Sequence, residues 1–367
     1  MSAEFESPAI TPIQRDVPFV FTGEAGEYFR IWIVNVVLSL LTLGVYSAWA
    51  KKRTRQYFYR HTQVDGTGFE YLADPIQILK GRVVLVLLLG CLVALQAFDP
   101  VLYLVGVALF MVASPALLVA ALRFNARQSA WRNVRFRFDA PISVAYQLYA
   151  KMVGLTLVTC GFAVPYTQWM WADFIASNHR FGDQPFSWRT QPGEIVTLYI
   201  YMVPMMMAVY ALFFVGILCI ATLGQLLPTI LGTKANDPAT MDQIVSMASI
   251  IGLPLFYAAL TVPSAFFKAR MANLFFGGMS VGPHTVRSEQ RFAELLRVYL
   301  GNLVALVLSL GLAWPWAKVR LTAYRLSRLT LVAHGPLVVD AGEGADHVNA
   351  LGDAAMDLGE LDLDLGF

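Results

Sequence analysis

Charge is what this sequence has least of. Only 14% of its 367 residues are Asp, Glu, Lys or Arg, against about 25% in soluble domains, while 57% are apolar and the mean hydropathy is +0.57. That deficit excludes an ordinary water-soluble chain and makes the bilayer the expected solvent. Cysteine is nearly absent. Cys91, Cys160 and Cys219 all fall in apolar segments, which excludes a disulfide framework and reads as small buried hydrophobes. The five histidines have no helical ligand spacing, and neither His-Glu-x-x-His nor a phosphate-cradling glycine loop occurs. Neither a membrane metalloprotease nor an ATP-driven pump is therefore expected, and no enzyme activity, metal or cofactor is expected. Residues 1–16 have no basic region leading into an apolar one, so no cleavable signal peptide is expected. Basic residues are missing from the last 28 positions, which carry eight acids.

What is present is a series of long apolar runs. A hydrocarbon core about 30 Å thick needs about 20 apolar residues in helix. Seven runs approach that size: Tyr28 to Ala50, Val83 to Phe98, Val101 to Leu122, Val144 to Trp171, Ile195 to Leu227, Ile244 to Phe267 and Leu295 to Ala317. Between them lie short alternating stretches, Phe19 to Phe21, Val134 to Phe138 and Leu329 to Val332, which read as small β-ribbons capping the membrane surface. Basic stretches from Lys51 to His61 and from Lys318 to Arg328 abut the runs, where long cationic side chains reach the headgroup zone.

The sequence echoes itself. A shift of 117 places Arg15 on Arg132, Phe19 on Phe136 and Gly44 on Gly161; a shift of 267 places Asn35 on Asn302, Gly44 on Gly311, Trp49 on Trp316, Lys51 on Lys318 and Arg53 on Arg320. The expected fold is an all-α polytopic membrane protein of about seven transmembrane helices, arranged three plus three plus one. Its expected parts are an N-terminal segment (1–27), two three-helix modules (28–131 and 132–281), a partial third repeat with the last helix and a basic cap (282–339), and an acidic tail (340–367). Modules with an odd number of spans face opposite ways, as in inverted-repeat transporters. With the N-terminus outside, most basic residues fall in inner loops, yet five between Lys268 and Arg297 fall outside, against the positive-inside rule. Re-entrant first, fourth and seventh spans would remove that conflict. This alternative ranks second, because only Val45 to Ala50 remain apolar after Gly44.

Several residues are candidates for function. Asn35, Lys151 and Asn302 are polar side chains within apolar runs, where each either contacts a solute or joins two helices. Gly44, Gly161 and Gly311, with Pro165 and Pro315, are candidate helix breaks that expose backbone groups or merely bend a helix. Lys51, Lys52, Arg53, Arg55, Lys318 and Arg320 are candidate contacts for anionic lipid headgroups. Their place beside the spans argues against nucleic acid as the partner. The acidic tail is a candidate site for a protein partner.

The string from Asn35 through Thr42-Leu-Gly44 to Trp49-Ala-Lys-Lys-Arg53, its echo at 302–320, the Val134 to Phe138 run and the acidic ending resemble the YjgN-like bacterial inner-membrane proteins. At span four the chain departs from that string, with Tyr166 and Gln168 in place of Trp and Lys. The resemblance implies a multi-pass inner-membrane protein and supplies no catalytic or ligand-binding residues. Two functions remain open: a transporter or channel-like protein for a small solute or lipid, and a non-transporting scaffold or assembly factor acting through its basic segments and acidic tail.

Overall fold

A computed structural model describes residues 14–230 and 238–337. Its elements follow one order, strand, helix, helix, strand, five times over. The first unit is β1 (Gln14–Phe21), α1 (Ala25–Leu41), α2 (Ser47–His61) and β2 (Thr62–Val64). The second is β3 (Thr67–Tyr71), α3 (Pro75–Phe98), α4 (Pro100–Gln128) and β4 (Ser129–Trp131). The third is β5 (Val134–Phe138), α5 (Ile142–Val158), α6 (Val164–Ser177) and β6 (His179–Phe181). The fourth is β7 (Gln184–Trp188), α7 (Pro192–Ile230), α8 (Pro238–Gly277) and β8 (Met279–Val281). The fifth is β9 (His284–Ser288), α9 (Phe292–Leu308), α10 (Trp314–Ser327) and β10 (Leu329–His334).

The ten strands form one closed antiparallel barrel, not separate ribbons, and this overturns the expectation of a seven-helix bundle with small surface caps. Strands of three residues are far too short to persist alone, so each depends on neighbours on both sides. Two-residue turns join consecutive units. Asp65-Gly66 and Arg132-Asn133 hold both residues at positive φ, the geometry that matches the right-handed twist of paired strands. The barrel closes where β1 pairs with β10, from Gln14 opposite His334 to Pro18 opposite Thr330. Alternation then decides the core: Val134, Phe136 and Phe138 turn away from the side of Arg135 and Arg137. Val17, Val64, Trp131, Val134, Phe181 and Ala333 fill the interior, with Phe19, Phe69, Phe136 and Phe186 against them. The rings of Phe136 and Phe181 lie 4.9 Å apart and those of Trp131 and Phe181 5.8 Å apart, so packed aromatics occupy the barrel axis. At its turn end Asp65 bridges Arg15 at 2.9 Å and Arg132 at 2.8 Å. The Arg132 and Arg15 guanidinium groups hold the Asp65 carboxyl below its ordinary range.

Both ends of every helical hairpin return to the barrel, so all strands lie on one side of the helices. The runs read as spans one, four and seven each contain a turn. They are the hairpins α1/α2, α5/α6 and α9/α10, and the three-span modules facing opposite ways do not form. Gly44, Gly161 and Gly311 sit in those turns at φ of 89°, 91° and 89°, a region that L-residues with a Cβ avoid. Leu43, Cys160 and Leu310 precede them at φ near 50°. Pro165 and Pro315 are second residues of α6 and α10, where a missing N–H costs nothing, so they start helices. Helices α3, α4 and the Pro192–Cys219 part of α7 are long and apolar enough to cross a membrane. Asp74 and Asp99 cap α3 and α4 by accepting from backbone N–H groups. Neighbouring hairpins pack at their bases, and α1 meets α10 to complete the ring. The three cysteines are exposed on this apolar surface, not buried.

Two measurements probe this architecture. Replacing Gly311 by Val should cost about 1–2 kcal/mol at its left-handed φ and lower the thermal midpoint in detergent. Gly154→Ala, at a helical position with open space around it, should leave the midpoint unchanged or slightly raised. At the β9/β10 seam the His334 N–H donates to Nδ1 of His284 at 3.1 Å. Burial, then the His334 charge, holds the His284 imidazole below its ordinary value of 6.5. The neutral ring is favoured in the fold, so the barrel loses stability as pH falls from 6.5 toward the lowered value. The midpoint should fall between pH 7 and pH 5, and less so in His284→Gln.

Candidate cationic cleft

In the first and fifth units a buried asparagine joins the two helices of the short hairpin. Asn35 is buried and its Nδ2 donates to the Ala50 carbonyl at 3.4 Å; Asn302 donates to Ala317 at 3.1 Å. Both tie the rising helix to the returning one across fifteen residues. Each Oδ1 is buried without a hydrogen-bond partner. Lys151 is in neither position. It stands exposed on α5, facing away from the hairpin core.

A cleft of about 530 Å³ runs beside Asn35, between the first hairpin, α3 and α10. It exists because barrel closure brings the last unit against the first. Four cations line it, Lys51 and Arg55 from α2, Arg82 from α3 and Lys318 from α10, and none of the lining residues is acidic. Arg82 Nη1 donates to Ser47 Oγ at 2.5 Å, which carries its guanidinium toward the hairpin tip. Arg55 Nη1 donates to Asn125 at 2.7 Å and to Tyr71 at 3.2 Å, and Lys318 Nζ lies 5.0 Å above the Phe58 ring. Thr54 and Thr322 add hydroxyls, while Trp32, Val36 and Leu40 make an apolar wall along α1. Cations and hydroxyls below an apolar wall match an anionic amphiphile, because a phosphate satisfies the first set and a hydrocarbon chain covers the second.

The expected headgroup residues divide among several places. Lys51, Arg55 and Lys318 come together in the cleft. Lys52 lies on α2 outside its lining. Arg53 faces the Tyr46 ring at 5.6 Å, and Arg320 the Trp316 ring at 5.1 Å. In the third unit Gln168 stands where Lys51 and Lys318 stand in the first and fifth, and it accepts from the Tyr199 hydroxyl. That substitution leaves the third unit without the matching cation. Sequence reasoning missed Arg82 and Ser47. The available signal was a basic residue one position ahead of the apolar run beginning at Val83. The acidic tail lies outside the described residues.

A family profile described as a bacterial protein of unknown function (DUF898) matches residues 16–358. Inner membrane protein YjgN of Salmonella typhimurium is 24% identical over 343 residues, covering 83% of this chain and 86% of that protein. The proteins of the same name from Escherichia coli O157:H7 and K12 are each 31% identical over 130 residues, 34% of this chain and 33% of theirs. No solved structure matches.

The Asn contacts can be measured separately from the cleft. Asn302→Leu removes a hydrogen bond between two helices and should lower stability by roughly 0.6–2 kcal/mol, read as a fall in the thermal midpoint. Lys52→Gln, outside the cleft lining, should leave the midpoint within error.

Proposed function

Since the chain belongs to the DUF898 family of bacterial proteins and resides in the inner membrane as a multi-pass protein, we propose that it is an anionic-lipid-binding scaffold rather than a solute carrier. The observation that supports this reading is the cleft: four cations converge with no acid among its lining residues, and one wall is apolar. Each Lys or Arg near an anionic surface contributes on the order of 1 kcal/mol to lipid attraction, so four together give a preference that a zwitterionic lipid lacks.

Charge placement supports a cytoplasmic barrel. No Lys or Arg occurs in the hairpin tips at 42–46, 98–100, 159–163 or 309–313, and on the short hairpins the basic residues begin seven or more residues from the turn glycines, on the way to the barrel. This orientation also removes the conflict over Lys268 to Arg297, since α8 and α9 both return to the barrel. Transport has less support. The inverted modules that suggested it do not form, and aromatic rings fill the barrel axis.

The test is lipid-dependent stability of the purified protein. A ligand at about one hundred times its Kd stabilises the folded state by about 2.7 kcal/mol, enough to raise the thermal midpoint measurably. Phosphatidylglycerol should raise it and phosphatidylcholine should not, with most of the difference lost in Lys318→Gln and Arg82→Gln. Equal shifts with both lipids, or undiminished shifts in both variants, would overturn the proposal.

A further inference from the structure

Hairpin length divides the five units into two kinds. At 1.5 Å per residue, α3 and α4 are about 36 and 43 Å long, sufficient to cross a hydrocarbon core of about 30 Å. The hairpins α1/α2, α5/α6 and α9/α10 have helices of 14–17 residues, about 21–26 Å, and their bases are occupied by the barrel contacts.

A band of positive charge marks how deep these short hairpins reach. Lys151 on α5 and Gly301 on α9 occupy matching places 150 residues apart. A Cβ at Gly301 would lie 2.6 Å from Arg320 Nη1, so the missing side chain makes room for a guanidinium at that level. The third unit has Met170 where the fifth has Arg320, and Lys151 supplies its cation from the opposite helix. Arg53 holds the equivalent level in the first unit. These three cations lie nine or ten residues below the turn glycines, and Lys51 and Lys318 lie seven below, so the charge-free tips are about 10–15 Å deep. Half of the hydrocarbon thickness is about 15 Å.

The tips beyond that band are built for hydrocarbon. Leu43 is 96% exposed, Leu310 93% and Phe162 89%. Irregular backbone in lipid must satisfy its own polar groups, and these turns do so. The glycine N–H groups donate to Ser39, Thr156 and Leu306 carbonyls at 2.7–2.8 Å. Thr42, Thr159 and Ser309 each accept from the N–H four residues on at 2.9 Å and donate back to a carbonyl of the preceding helix.

We infer that the three short hairpins are one-leaflet insertions whose tips end near the bilayer midplane and whose exposed surface fits the acyl chains of the leaflet next to the barrel. Six helices then displace lipid in that leaflet alone. The inference stands on helix length, charge depth and turn chemistry, and does not require the cleft to bind lipid.

The experiment uses the native Cys160 tip. With Cys91→Ser and Cys219→Ser, the full chain is placed in liposomes, and Leu43→Cys and Asp99→Cys are made separately with Cys160 also changed to Ser. A membrane-impermeant maleimide should label Asp99→Cys from the side opposite the barrel and label neither tip from either side. A fluorophore on each tip should be quenched most by lipids brominated near the ends of their chains. Tip labelling from the far side would show a full crossing, and labelling from the barrel side would show a hairpin outside the membrane. Absence of quenching by any brominated lipid would show a tip covered by protein. Each of these three results overturns the inference, and the unaltered Cys160 tip gives a reading even where a variant fails to fold.

Discussion

The structure depends on the pairing of β1 with β10. Four of the ten strands are three residues long and four are five, and such strands hold only when both edges are bonded. Pairing Gln14 to Pro18 with Thr330 to His334 removes the last two open edges. The same pairing brings α10 to α1 and so assembles the cleft from residues as far apart as Trp32 and Leu326. It also requires each helical hairpin to begin and end on one side, which decides the topology of the whole chain.

Within that frame polar groups are placed by what surrounds them. Asn35 and Asn302, both buried, bridge paired helices. Arg135 and Arg137 turn outward from a strand whose Val134, Phe136 and Phe138 serve the core. Arg82 departs from this economy. It stands about two turns into α3 and extends toward the hairpin tip to reach Ser47, so a cation is held where hydrocarbon would otherwise be expected. Intramembrane charges of this kind are costly, and the hydrogen bond to Ser47 offsets part of that cost.

Much of the membrane character was legible in the sequence. The apolar runs, their basic edges and the three turn glycines all stand where the structure uses them. The folding back of each short run was not read correctly, and the reason is specific. Only six apolar residues follow Gly44, which appears too few for a returning leg if that leg faces lipid. In fact α2 lies against α1, α3 and the cleft, so Lys51 and Arg55 serve it better than leucines. The hydroxyl two positions before each glycine, Thr42, Thr159 and Ser309, was a readable sign of a capped turn. The barrel was harder to see. Alternation needs more than three residues to register, so β2, β4, β6 and β8 carry almost no periodic signal, and closure over more than 300 residues leaves no local trace.

That long-range closure has a consequence for biosynthesis. A ribosome delivers β1 first and β10 last, so the seam joining them cannot form until nearly the entire chain has been made. Until then Gln14 to Pro18 and the growing end both present unpaired backbone at the membrane surface. A nascent chain cut short before Leu329 would retain its hairpins in the lipid yet leave two adhesive edges exposed. Such a fragment invites pairing with a neighbouring fragment, so the quality of the product rests on finishing its final few residues.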